Sequence, residues 1–156
     1  RAEGQAMRIC ITGGPKTGKT TLAAALADQY GDPTGTTVAH TDDLIHLGWS
    51  EASLEASHWL DAPGPWIIEG VAVSRAIRKW ISAWDQSSPP PLDKLIILVD
   101  PFSELTTGQR TMAKGVATVQ SEIEPWLREF GVAIERRTPG PSGSWVIEQD
   151  PVRARR

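Results

Sequence analysis

Residues 9–21 read ICITGGPKTGKTT. Gly13, Gly18, Lys19 and Thr20 fill the fixed positions of G-x-x-x-x-G-K-[ST], and Arg8 to Thr12 ahead of them read as a short buried strand. Gly13, Gly14, Pro15, Lys16, Thr17 and Gly18 form the connecting loop. Its glycines let the chain turn back with its N–H groups directed inward. With the N-terminus of the helix that follows, those donors make a nest for phosphate oxygens. Lys19 is spaced to reach the β- and γ-phosphates of a nucleotide, Thr20 to offer its hydroxyl to Mg²⁺, and Thr21 completes the nucleotide-binding set. The helix is legible in TTLAAALADQY, residues 20–30: rich in Ala and Leu, with Leu22, Ala25, Leu26 and Gln29 at helical spacing and Gly31 to stop it.

At 156 residues the chain is read as one domain. A formal net charge of -3 argues against nonspecific coating of nucleic acid, while leaving room for a local basic patch. Cys10 is the only cysteine, so no internal disulfide can form, and between Ile9 and Ile11 it reads as a buried structural thiol. No apolar run approaches the roughly 18 residues that span a membrane. The expectation is a soluble cytoplasmic protein without a membrane partner. RAEGQA, residues 1–6, reads as an artificial remnant of expression, because MRICITGG from Met7 makes a natural start that leads directly into the strand.

Along the chain, TTVAHT is a second strand, β-branched and ending on Asp42-Asp43, and α/β sheets place ligand chemistry at such carboxyl ends. LIHLGWSEASLEASHWLDAPG follows as a small helical segment, broken at Pro63-Gly64. Trp66 to Ile68 form a third strand ending on Glu69-Gly70. The next helix carries Ala76, Ile77, Trp80, Ile81 and Trp84 on one stripe, with Arg75, Arg78 and Lys79 largely off it. LIILVDP is a fourth, fully apolar strand, and Asp100-Pro101 reads as the N-cap and first position of a helix. Residues 102–131 are expected to be helical with interruptions near Gly108 and Gly115. VAIERR is a fifth strand, and the turn-rich TPGPSGSW and the closing arginines are expected to form a tail over residues 138–156. Strands alternating with helices imply a parallel sheet covered on both faces.

The chain has no Asn-Lys-x-Asp guanine reader, and it is too short for a large motor ATPase. It resembles the small P-loop kinases that phosphorylate nucleosides, nucleotides, sugars and polynucleotide ends. GGPKTGKTTLA matches their phosphate loop, HTDDLI the acidic segment after their second strand, IIEG the end of their third strand, and GQRTMAKG their lid. The resemblance implies a three-layer P-loop NTPase fold: a five-stranded parallel sheet in the order 2-3-1-4-5, helices on both faces, and a small helical lid over about residues 103–120 within a kinase domain spanning 7–137. It also implies ATP as co-substrate, with Mg²⁺.

By the same resemblance Asp42 accepts the proton of the attacking hydroxyl or orients it, with Asp43 the alternative base and one of the two holding Mg²⁺ through water. An aspartate at this position also serves as a turn residue capping the next helix. Glu69 is placed at the acceptor or at the metal. Arg110 and Lys114, four apart on one helix face, would approach the transferring phosphoryl group when the lid closes, or else simply form a solvated charged face of that helix. Lys114 departs from the second arginine of many relatives and cannot make its bidentate contact. Arg75, with Arg78 and Lys79, can grip an anionic acceptor or simply form the wet side of its helix. Trp49 and Trp59 lie in the acceptor segment and can stack on a base, whereas Trp80, Trp84 and Trp126 read as core. His40, His46 and His58 lack metal-like spacing and read as structural or acceptor-pocket residues.

The acceptor is thus expected to be a hydroxyl on a nucleoside, nucleotide or nucleic-acid base. Compact bacteriophage kinases that act on 5-hydroxymethyluracil in DNA are similar in general plan. A reading from another class also stands: a regulatory nucleotide-binding module that hydrolyses ATP and has no phosphoryl acceptor.

Overall fold

Ile9, Cys10 and Ile11 point alternately to opposite faces of a sheet, and each face has its own core. The computed structural model describes residues 7–30, 37–140 and 145–148. β1 (Arg8–Gly13) pairs in parallel with β3 (Trp66–Glu69) on one side and with β4 (Lys94–Leu98) on the other. β2 (Thr37–His40) lies outside β3 and β5 (Ala133–Pro139) outside β4, again in parallel. On one face, Ile9, Ile11, Ile67 and Ile96 pack with Leu22, Ala23 and Leu26 of α1 (Lys19–Tyr30). On the other, Cys10, Ile68, Leu95 and Ile97 pack with Val73 and Ile77 of α3 (Val73–Ser82) and with Ile123 and Leu127 of α4 (Thr107–Glu129). Each such fully buried aliphatic side chain contributes about 1.5–3 kcal/mol. Arg8 closes the amino-terminal edge, its guanidinium donating to both carboxylate oxygens of Asp93 at 3.2 and 3.1 Å.

The architecture is α/β, but the sheet is six-stranded and mixed, in the order β2-β3-β1-β4-β5-β6, where five parallel strands were expected. The extra strand, β6 (Trp145–Glu148), returns antiparallel along β5. Its four residues follow a Gly/Pro/Ser-rich stretch, and so short a run carries too little periodicity to stand out from a turn. The segment after residue 137, expected as a tail, therefore contributes to the sheet as far as Glu148. The closing arginines and residues 1–6 lie outside the described residues.

α4 is one helix of 23 residues that passes through Gly108, Gly115 and Pro125 without a break. A mid-helix glycine costs about 0.5–1 kcal/mol relative to Ala, less than the burial of Val116, Val119, Ile123 and Leu127 on its inner face returns. Nor does Asp100 cap it. Thr106 does, accepting from the Gln109 backbone N–H while the Gln109 side chain accepts from the backbone N–H of Thr106. Trp80, Trp84 and Trp126 are half-buried rather than core. They meet edge-on with ring centroids 5.0–6.0 Å apart, at the end of the α3–α4 pair. Among the tryptophans described, Trp66 is the one fully buried. Cys10 is fully enclosed, and burial pushes its thiol far above the usual range, as suits a structural residue.

Candidate active site

A cleft of about 620 Å³ opens at the carboxyl ends of the strands around β1. An open α/β sheet leaves its crevice here, where the strand order reverses. One wall is the loop after β1, through Pro15, Lys16, Gly18, Lys19, Thr20 and Thr21. The opposite wall brings Asp42 and Ile45 from the 3-10 turn Thr41–Leu47, and Trp49 from α2 (Trp49–Trp59). Val71, Phe102, Gln109 and Met112 complete the lining.

The loop is held from several sides. Gly18 has φ +90°, a conformation that favours glycine, and a Cβ there would lie 2.9 Å from Cζ2 of Trp145. A Cβ on Gly14 would come within 2.9 Å of the Ala113 side chain, so α4 rests directly on the loop. Lys16 adopts φ 59°, left-handed and uncommon outside glycine. Its carbonyl accepts from the Phe102 N–H at 2.7 Å and its Nζ donates to the Glu104 carbonyl at 3.0 Å, fixing the turn to the chain after β4. Gly13 and Thr17 sit behind the cleft, with the Thr17 hydroxyl donating to the Gly14 carbonyl at 3.0 Å.

Lys19 is buried and its Nζ donates to the Gly14 carbonyl at 2.7 Å. Burial pushes its ammonium below the ordinary lysine range, and the negative charges of Glu69 and Asp42 pull it back up. Thr20 donates its hydroxyl to Glu69 Oε2 at 3.1 Å. Glu69 is 1% exposed, and its Oε1 has no hydrogen-bond partner among the described residues. Asp42 is exposed in the cleft. It is aligned by the close passage of Gly70, where a Cβ would fall 3.2 Å from Asp42 Oδ1 and only 1.9 Å from Thr41 Oγ1.

Thr20 and Asp42 line the cleft with hard oxygen donors, the kind that suits Mg²⁺, and the buried Glu69 stands behind Thr20 without lining the cleft itself. Among the described residues no group of three or more His, Cys, Asp or Glu can hold a metal by itself. Mg²⁺ is commonly held by one or two carboxylates together with substrate phosphates, and this donor set fits that arrangement.

Several expected site residues stand elsewhere. Asp43 is exposed and does not line the cleft. Trp59 lines a separate pocket of about 260 Å³ with Thr37, Ala39 and Trp66. Arg110 folds back on its own helix start, donating to the Leu105 carbonyl at 2.7 Å and to Thr107 Oγ1 at 3.2 Å, and Lys114 is exposed outside the cleft. Helical geometry explains this: the inner face of α4 carries Met112, Ala113 and Val116, and Arg110 and Lys114 fall off it. That stripe was readable in the sequence, and it would have pointed to Gln109 and Met112 instead. Arg75 does not line the cleft itself but backs its Trp49 wall, its guanidinium 5.0 Å above the Trp49 ring and close against Gly115. Arg78 instead pairs with Glu122 at 3.2 Å, and Lys79 donates to the Ser50 carbonyl at 3.1 Å. Phe102 and Trp145 went unread because only the fold brings them to the loop. No protein-family model matches the chain, and a comparison with curated proteins finds none similar to it in sequence.

Proposed function

We propose that this chain is an ATP-dependent phosphotransferase of the small P-loop kinase type, acting on a hydroxyl of a nucleoside, nucleotide or nucleic-acid base. The observation that carries the reading is the meeting, in one cleft, of the Lys19–Thr20 loop with an exposed carboxylate, Asp42, and a tryptophan, Trp49, backed by a guanidinium. The loop N–H groups and Lys19 hold the β- and γ-phosphates. Thr20 is the residue that would hold Mg²⁺, with Glu69 behind it accepting from its hydroxyl, and the ion would supply neutralisation of charge on the nucleotide phosphates. The acceptor oxygen attacks the γ-phosphorus, the bond to the β-phosphate oxygen breaks, ADP leaves, and Asp42 takes the hydroxyl proton.

The acceptor end favours a planar base carrying or adjoining an anion. No carboxylate pairs with Arg75 among the described residues, and it stacks on Trp49, which is free to meet a base on the side facing the cleft. A hydroxymethylated pyrimidine such as 5-hydroxymethyluracil in phage DNA fits this description, with the base flipped out to reach Asp42. The reaction would then take place in the cytoplasm, that of the host if the chain is phage-encoded. No described helix is long and apolar enough to cross a membrane.

The test is transfer of label from γ-labelled ATP, with Mg²⁺, to a panel of free nucleosides, nucleotides, sugars and duplex DNA with and without hydroxymethylated bases. Label on one acceptor is expected. Release of phosphate regardless of acceptor would favour the regulatory ATPase module instead.

A further inference from the structure

The parallel register of β2 and β3 sets His40 directly beside Glu69. His40 Nδ1 lies 2.5 Å from Glu69 Oε2, the same oxygen that accepts from the Thr20 hydroxyl. A carboxylate is an acceptor only, so Nδ1 carries the proton and Oε2 takes two donors. Oε1 is left buried with no partner among the described residues. The histidine side chain is 37% exposed, whereas the carboxylate it meets is 1% exposed.

We propose that His40 is a positioning residue for the divalent cation. By holding Oε2 against Thr20 it fixes the direction of the hydroxyl's lone pairs toward a Mg²⁺ ion that arrives with the nucleotide. This rests on the phosphotransferase reading above. His40 does not line the cleft; it acts through Glu69 and Thr20, in the way partners of metal ligands set their orientation.

Two substitutions separate hydrogen bonding from shape. His40→Phe keeps the ring and removes the donor, whereas His40→Asn loses the ring but places an amide N–H near the position of Nδ1. Calorimetric binding of ATP, titrated against Mg²⁺ concentration and repeated without Mg²⁺, gives the readout independently of turnover. His40→Phe is expected to raise the half-saturating Mg²⁺ concentration about 10-fold or more, the usual consequence of losing such a partner, with metal-free ATP binding unchanged. His40→Asn should stay close to wild type. The proposal is overturned if the His40→Phe protein keeps the wild-type Mg²⁺ requirement, or if both substitutions raise it equally. His40→Leu repeats the test should the His40→Phe protein not fold. A wild-type chain that binds no ATP overturns the phosphotransferase reading and this proposal together; a wild type with Mg²⁺-dependent binding that no His40 variant alters overturns this proposal alone.

Discussion

Gly70 shows how a single missing side chain can place a carboxylate in the cleft. With φ +140° and a hypothetical Cβ 1.9 Å from Thr41 Oγ1, it lets the turn after β2 pass over the end of β3 and present Asp42 to the loop. Gly70→Ala is expected to destabilise the fold by about 2–4 kcal/mol through strain and displacement, read from urea midpoints at constant m-value. Lys19 carries a second residue-scale consequence. Its ammonium is depressed in the folded state by burial, so between that lowered value and the ordinary 10.5 the unfolded chain binds more protons. Stability of the nucleotide-free protein should therefore rise with pH across that window. Lys19→Met should flatten the rise in a series of alkaline denaturation curves. It should also abolish the stabilisation that nucleotide gives the wild type, which at 100 times Kd is about 2.7 kcal/mol. A Lys19→Met protein still stabilised by ATP would remove Lys19 from phosphate binding.

Elements differ in how far their sequences announce them. β1 and α1 were legible because a fixed motif pins the loop between them and because Leu22 and Leu26 repeat on the buried side, although Ala25 and Gln29, at the same spacing, prove exposed and Ala23 is buried instead. The acidic turn and β3 were legible as strand ends bearing carboxylates. α4 was misread at its start, since Gly108 and Gly115 look like breaks unless the apolar stripe beyond them is weighed against their modest cost. β6 was not legible at all. It exists because β5 offers an edge and because Trp145 finds a seat against Gly18 and the α1 side of the core. Trp145→Ala should cost about 1–3 kcal/mol, less than a fully buried tryptophan, and should weaken nucleotide binding by loosening the support behind Gly18. Comparing urea midpoints and ATP affinities of the two proteins checks both effects. An unchanged affinity would confine Trp145 to packing.

For the molecule as a whole, the alternation of strand and helix led to an α/β sheet with helices on both faces, and the positions of Asp42 and Trp49 beside the loop followed from where such a sheet opens. What the alternation does not contain is contact between distant segments. The pairing of His40 with Glu69 depends on the β2–β3 register, Arg75 over Trp49 on the packing of α3 against α2, and Phe102 in the cleft on its N–H bond to Lys16. Phosphoryl transfer requires the phosphate loop and the acceptor wall together, whereas a regulatory nucleotide-binding module needs only the loop. Asp42→Asn tests that difference most directly, with ATP affinity and γ-phosphate transfer to the preferred acceptor measured on the same protein. A positioned general base contributes about 10²–10⁴-fold, so transfer should fall by at least about 100-fold while ATP affinity stays within about threefold. Transfer undiminished in the Asp42→Asn protein would contradict the account and return Asp42 to the role of a turn residue.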